Sequence, residues 1–157
     1  MKQSIVILDD VFDTTDSLLH LIDNKVEADD WYDLEAKHKY KDFCLSILQI
    51  AGDYFDLSNA VGYEFWGHNG TKPDWHYDKD EVLFERDRTL SFPLCSTAYY
   101  LAISGMKGGE LVVQQDTITP KPNRLVIFAP GKFHTVRPFA GKRVSLLINP
   151  WDHELCK

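Results

Sequence analysis

One stretch of the sequence, WHYD at positions 75–78, combines residue types that could bind a metal ion. Alternate side chains of an extended strand point to the same face, so His76 and Asp78 lie together and the residue between them points away. An imidazole and a carboxylate at this spacing can bind one ion without bending the backbone. A third ligand must come from elsewhere, and His134 is the best candidate, because it follows the turn signal APG at 129–131 and begins another strand-like run.

Two histidines and one carboxylate that leave the opposite coordination face open are typical of non-haem Fe(II) oxygenases. An H-x-D triplet alone is a weak pattern. A chain with 24 acidic residues and six histidines often contains one by chance. The third candidate ligand, His134, and a downstream arginine, Arg143, favour the metal-binding interpretation.

The last predicted strand, residues 143–149, has two different faces. Arg143, Ser145 and Leu147 alternate on one face, and the intervening residues are all apolar. We expect the apolar face to pack beneath helices and the other face to point into the interior. A buried guanidinium is costly unless it meets an anion, and its planar fork suits a carboxylate. The sequence leaves two alternatives open for Arg143: a bound carboxylate ligand, or an internal salt bridge.

The elements that must position these residues change type near residue 59. Apolar spacing predicts a helix from about residue 13, with Leu18, Leu19, Ile22 and Val26 on one face. A second helix is predicted over about 30–54, with His38 on its solvated side. Further strands are predicted at 4–8, 60–66, 74–78, 96–103, 110–114, 124–128 and 133–137. The charged residues 79–88 are expected to form a mobile lid or an ordinary surface loop.

Helices followed by many short strands predict a mainly β protein with flanking α, with the helices packed on one sheet of a β-sandwich or jelly roll. A chain of 157 residues with 44% hydrophobic residues is expected to form a single domain with a packed core. That domain would span 1–157, with a helical part at about 13–56 and a jelly-roll core at about 59–151.

The net charge, the apolar runs and the cysteines bear on nucleic-acid binding and on cellular location. The formal charge of −7 argues against general nucleic-acid binding, which needs a basic surface. No apolar run is long enough to span a membrane, and the apolar stretch at the N-terminus is too short for a signal peptide. Three widely spaced cysteines are expected to be free thiols, so the chain is predicted to be cytoplasmic. The oligomeric state is not readable from the sequence.

A spaced set of motifs resembles the Fe(II)/2-oxoglutarate-dependent dioxygenases, and most of all their prolyl-4-hydroxylase-like branch. The motifs are the H-x-D at 76–78, YYL at 99–101, GGEL at 108–111, RLVIF at 124–128, HTV at 134–136 with Pro138, and Arg143. They cover roughly residues 61–151. The resemblance implies a double-stranded β-helix, the jelly-roll core that is also found in cupins.

The same resemblance assigns roles to individual residues. By this resemblance, the three iron ligands are His76, Asp78 and His134. Arg143 would bind the 5-carboxylate of 2-oxoglutarate with help from the Tyr100 hydroxyl. Tyr63 and Ser145 are further cosubstrate-facing candidates, for which ordinary interior packing is the alternative. The branch that demethylates nucleic acids carries another arginine where this chain has Asn149, which argues against nucleic-acid repair.

The implied activity uses Fe(II), 2-oxoglutarate and dioxygen, and releases succinate and CO₂ while a substrate C–H bond is hydroxylated. The expected substrate is a peptide or protein residue, or a small amino-acid-like molecule. Two alternatives remain: a cupin-like metalloenzyme that uses no 2-oxoglutarate, and a non-catalytic relative that binds or senses a dicarboxylate. The substrate itself is not encoded by the fold or by the cosubstrate site.

Overall fold

The computed structural model describes residues 4–13, 30–68 and 74–157. Its nine strands are β1 (Ile5–Leu8), β2 (Asp30–Asp33), β3 (Gly62–His68), β4 (Ser96–Gly108), β5 (Leu111–Val113), β6 (Asp116–Ile118), β7 (Arg124–Phe128), β8 (His134–Val136) and β9 (Phe139–Trp151). The two helices in this part of the chain are α1 (Lys41–Gly52) and α2 (Glu81–Asp87).

The strands form two antiparallel sheets. The larger sheet has the order β1-β7-β4-β9-β3-β2, and the smaller has the order β6-β5-β8. Strands of both sheets line one cavity, with Tyr100 and Arg143 from the large sheet and Leu111 and Val136 from the small one. The predicted mainly β jelly-roll architecture is therefore confirmed, and the cavity lies between its sheets.

Helix α1 packs on the outer face of the large sheet. Its buried residues are Phe43, Cys44, Ile47, Leu48 and Ala51. They join a core cluster with Leu146 and Ile148 of β9, whereas Arg143, Ser145 and Leu147 line the cavity on the other side. The two faces predicted for the last strand are thus confirmed, and β9 separates the core from the cavity.

The predicted helix over 30–54 is correct only in its second half. Residues 30–33 form β2, which pairs with β3 so that Tyr32 lies opposite Tyr63. Aromatic side chains favour such cross-strand pairing over a helix. Gly62 is required there, because any side chain at this position would collide with the backbone carbonyl of Tyr32 and with the ring of Trp31.

Three further predictions need correction. Residues 74–78 do not form a strand, and only a single bridge joins His76 to His134. Residues 79–88 are not an ordinary surface loop, since α2 occupies 81–87 with Asp80 as its N-cap. Strand β6 was not predicted from the sequence. The predicted helix from residue 13, with its apolar residues up to Val26, lies outside the described residues.

Neither of the two described helices is long and apolar enough to cross a membrane.

Candidate active site

Three side chains meet at one end of the cavity. The backbones of His76 and His134 exchange two hydrogen bonds of 2.9 and 3.0 Å, which brings both residues to the same place. The Oδ1 atom of Asp78 lies 3.7 Å from Nε2 of His76 and 3.4 Å from Nε2 of His134. All three ligand atoms lie within 4.8 Å of one another. The predicted turn before His134 is also present, with Gly131 at a φ of 74°.

Both imidazoles are held in the orientation that a metal ligand needs. Nδ1 of His76 lies 2.9 Å from the carbonyl oxygen of Asp74, and Nδ1 of His134 lies 2.8 Å from that of Lys132. A carbonyl only accepts hydrogen bonds, so each Nδ1 carries the proton and donates it. The lone pair of each Nε2 is therefore directed toward Asp78, as expected for metal-binding histidines.

The carboxylate of Asp78 is also oriented by its neighbours. Its Oδ2 atom accepts hydrogen bonds from Oγ of Ser96 at 2.7 Å and from Nδ2 of Asn149 at 3.1 Å. Oδ1 is left facing the two imidazoles. The sequence reasoning missed both supporting residues, although alternation along β9 places Asn149 on the same face as Arg143.

Asp78 and His134 shift each other's pKa in opposite directions. Burial alone would raise the pKa of Asp78, but the hydrogen bond and charge of His134, with help from Ser96 and His76, lower it to about 2. Burial alone would lower the pKa of His134, but Asp78 outweighs this effect and raises it. The pair thus keeps an ionised carboxylate beside an imidazole that binds a proton readily. A divalent cation would replace that proton.

The cavity has a volume of about 340 Å³. It is lined by Trp66, Asp74, His76, Asp78, Thr97, Ala98, Tyr100, Leu111, Phe128, His134, Val136, Arg143, Ser145 and Leu147. Arg143 is only 4% exposed, and its guanidinium lies 4.6 Å from the centre of the Phe139 ring. Tyr100 and Ser145 are paired across β4 and β9.

Arg143 and Tyr100 influence each other electrostatically. Burial lowers the pKa of Arg143, and the nearby Tyr100 partly opposes this effect. Burial raises the pKa of Tyr100, while the charges of Arg143 and Arg124 lower it. A buried cation beside a hydroxyl suits an anionic oxygen ligand entering from the cavity.

The structure does not place Tyr63 at this cavity, which corrects the expectation that it faces the cosubstrate. Its side chain is fully buried in the helix-side core, and its hydroxyl lies 2.6 Å from Nε2 of His38. Side chains alternate along β3, so Trp66, three residues later, faces the cavity and Tyr63 faces away. His38 stacks on Tyr32 at 3.7 Å between ring centres and does not lie on a solvated helix face.

The arrangement fits an Fe(II) site and a dicarboxylate cosubstrate. Two imidazole nitrogens and one carboxylate oxygen converge from one side and leave the cavity side open, a donor set that suits non-haem Fe(II). The same cavity contains a buried cation, Arg143, which suits the far carboxylate of a short dicarboxylate. All members of the predicted set except Tyr63 line this single cavity.

Comparison with known proteins agrees with this chemistry. Residues 60–151 match the family model of the 2OG-Fe(II) oxygenase superfamily. A search of curated proteins finds no match.

Solved structures share the fold at low sequence identity. A prolyl-4-hydroxylase from Pseudomonas putida aligns with a TM-score of 0.63 and 16% identity, over 96% of this chain and 89% of that one. An oxidoreductase of the 2OG-Fe(II) oxygenase family from Burkholderia pseudomallei aligns with a TM-score of 0.60 and 17% identity, over 98% and 87%. A Trichoplax adhaerens prolyl hydroxylase, in complex with a hypoxia inducible factor oxygen degradation domain peptide fragment, aligns with a TM-score of 0.57 and 14% identity, over 95% and 84%.

The family match spans more than half of the chain and includes all three converging ligands as well as Arg143. A cupin-like enzyme without 2-oxoglutarate and a non-catalytic dicarboxylate sensor are accordingly not favoured. The chain belongs to the 2OG-Fe(II) oxygenase superfamily and is a dioxygenase that uses Fe(II), 2-oxoglutarate and dioxygen.

Proposed function

We propose that His76, Asp78 and His134 hold the iron, and that Arg143 and Tyr100 bind the far carboxylate of 2-oxoglutarate. The observation that carries this proposal is that both groups line the same cavity of about 340 Å³. Ser145, paired with Tyr100 across the two strands, is within the same wall and is proposed to contribute a hydroxyl to the cosubstrate site.

Iron held by His76, Asp78 and His134 would supply the redox chemistry by which dioxygen converts 2-oxoglutarate to succinate and CO₂ and hydroxylates a substrate C–H bond. The contribution of the protein is to orient these groups and to exclude water. Ser96 and Asn149 hold one oxygen of Asp78 so that the other faces the metal position. The apolar walls around Phe128 and Leu147 keep the reacting groups dry.

We propose a peptide or protein residue, or a small amino-acid-like molecule, as the substrate. Support comes from the prolyl-4-hydroxylase and the peptide-bound prolyl hydroxylase that share the fold. The net charge of −7 and an asparagine at position 149 favour a substrate other than nucleic acid.

We also propose a cytoplasmic location and a single domain over 1–157. The three free cysteines, two of them buried, are consistent with the proposed location.

The direct test is formation of succinate from 2-oxoglutarate by the purified protein under air with Fe(II). We expect turnover that requires iron and is stimulated by a suitable peptide or amino acid. His134→Ala should abolish succinate formation, because the variant loses one of three metal ligands. Wild-type turnover in this variant would overturn the metal assignment. The control substitution is His38→Ala, which also removes an imidazole, but one that contacts Tyr63 on the helix side of the large sheet and not in the cavity.

A further inference from the structure

We propose that Asp74 recognises a positively charged group of the substrate, so that the prime substrate carries an ammonium or guanidinium close to the carbon that is hydroxylated. This inference rests on the proposed function, which assigns the iron and cosubstrate positions. Asp74 lines the same cavity and has neither of those roles.

The first observation is the position of Asp74. Asp74 lines the cavity that contains the three metal-ligand candidates, and it is also exposed to solvent. The carbonyl oxygen of the same residue accepts the Nδ1 hydrogen bond of His76 at 2.9 Å, so this part of the backbone is fixed against the metal site. The ligand atoms that converge on one point are those of His76, Asp78 and His134, without Asp74. Asp74 therefore lies beside the metal position without being one of the ligands.

The second observation concerns the other lining residues. Five of them carry acidic, imidazole or guanidinium groups, namely Asp74, His76, Asp78, His134 and Arg143. Four of these five have roles in the proposed iron and cosubstrate sites. The hydroxyl of Thr97 donates to the carbonyl of Ile148 at 2.6 Å. Tyr100 and Ser145 are assigned to the cosubstrate, and the other lining side chains, such as Trp66 and Leu147, are apolar. Among the lining residues that the structure describes, Asp74 is therefore the charged one left for the substrate.

The third argument is charge balance in the loaded cavity. The two positive charges of Fe(II) and the charge of Arg143 balance Asp78 and the 2-oxoglutarate dianion. Asp74 then adds one negative charge at the wall of this cavity, where it is accessible to solvent and to an entering substrate. Within the described part of the chain, no lysine or arginine forms an ion pair with Asp74. A cationic substrate group would supply the missing charge, and the indole of Trp66 in the same wall could contact its aliphatic stem.

The test compares probes that differ only in charge. N-acetyl-lysinamide and N-acetyl-norleucinamide have the same stem, and short blocked peptides can carry lysine, norleucine or glutamate at one position. Free lysine and free norleucine form a second arm that separates a free amino acid from a peptide residue. Substrate-stimulated succinate release gives kcat/KM for each probe. Calorimetric titration of the Mn(II) and 2-oxoglutarate complex gives the affinity for each probe, whether or not it is turned over.

We expect the cationic probe to exceed its neutral partner by about 3- to 10-fold in kcat/KM or affinity, the range of one partly exposed ion pair. Asp74→Asn should remove this preference, and Asp74→Lys should favour the glutamate peptide. The control Asp116→Asn changes the net charge equally at an exposed site on β6 and should keep the preference. Equal affinity of the wild type for charged and neutral probes, or a preference that survives Asp74→Asn, would overturn the proposal. Iron-dependent succinate formation by the wild type without added substrate would still support the proposed function in that case.

Discussion

At the scale of single residues, the two oxygens of the Asp78 carboxylate have different partners. Oδ2 of Asp78 is occupied by Ser96 and Asn149, and Oδ1 is turned toward the imidazoles. Partners that orient a metal ligand in this way typically change metal affinity by 10- to 100-fold when they are removed. The side chains that decide the chemistry are therefore more numerous than the three ligands.

We predict that Ser96→Ala weakens Fe(II) or Mn(II) binding by about 10-fold, because Asp78 loses one of its two orienting hydrogen bonds. Fluorescence or calorimetric titration with Mn(II) measures this change. Ser46→Ala is the matched control, since the Ser46 hydroxyl donates to a backbone carbonyl on α1, away from the cavity. Unchanged affinity in Ser96→Ala would show that the hydroxyl does not orient the ligand.

We also predict that Arg143→Lys raises the KM for 2-oxoglutarate by about 10-fold and that Arg143→Ala raises it by about 100-fold. A lysine keeps the charge but loses the two-pronged geometry, and a hydrogen bond to a charged group contributes about 1.5–3 kcal/mol. Arg86→Lys on the exposed helix α2 serves as control. A KM for 2-oxoglutarate that does not change in Arg143→Ala would contradict the assignment of the cosubstrate site.

At the scale of elements, the ligand-bearing segment 75–78 is positioned without belonging to a strand. One end is fixed by the His76–His134 bridge, and the other by Asp80, whose N–H donates to the carbonyl of Ser91 at 2.9 Å. The Asp80 carboxylate is 2% exposed and accepts from the N–H groups of Leu83 and Cys156 at 3.1 and 3.0 Å. One buried carboxylate thus joins the metal segment, helix α2 and the C-terminal residues.

We predict that Asp80→Ala lowers the free energy of unfolding by about 2–4 kcal/mol, because it removes a helix cap and leaves two backbone donors without this partner. Asp80→Asn should cost less, since the amide oxygen can still accept one bond. Urea denaturation measures both. Although burial alone would raise the pKa of Asp80, its hydrogen bonds and His153 lower it, so the stabilisation is present above the unfolded pKa of about 3.9 and is lost as the pH falls through the folded value. An equal loss of stability in both variants would contradict this account.

At the scale of the whole molecule, the two sheets enclose one cavity and place the metal ligands on its rim. Ligands from residue 76, residue 78 and residue 134 are brought together only when the sheets have formed. A cation that binds the folded chain and not the unfolded chain therefore stabilises the fold by mass action. Metal binding should therefore raise the free energy of unfolding of this protein.

We expect Mn(II) at about 100 times its dissociation constant to add about 2.7 kcal/mol of stability, which corresponds to a rise in Tm of about 5–10 °C for a chain of this size. Differential scanning calorimetry with and without EDTA measures the shift. His134→Ala should abolish the shift while remaining folded. A full shift in His134→Ala would place the metal elsewhere.

The affinity for that metal should fall as the pH decreases. The pKa of His134 is raised above its usual 6.5, so a proton occupies the ligand nitrogen below the raised value and competes with the metal. Titrations with Mn(II) at several pH values should show an affinity that increases until the pH exceeds this pKa and then levels off. An affinity that is independent of pH across this range would exclude proton competition at His134.

Much of the site was predictable because it depends on local patterns. Alternation along β9 correctly placed Arg143 and Ser145 toward the interior. His76 and Asp78 also meet as predicted, but a single bridge to His134 positions their segment instead of a strand. Alternation along β3 puts Tyr63 on the helix side and Trp66 at the cavity, so the cosubstrate role that the family resemblance implies for Tyr63 is wrong. The predicted helix over 30–54 failed in its first part, since pairing of Trp31 and Tyr32 with β3 overrode the helical spacing.

The sequence by itself determined which residues could bind a metal and an anion, because residue type and the two-residue period of a strand are properties of the local chain. Only the tertiary structure decided that Ser96 and Asn149 orient Asp78, that Asp80 holds the metal-ligand segment in place, and that Asp74 lines the cavity. These contacts join positions that are far apart in the chain or depend on the packing of two sheets. No local pattern encodes such contacts, since their distances are set by how the whole chain packs.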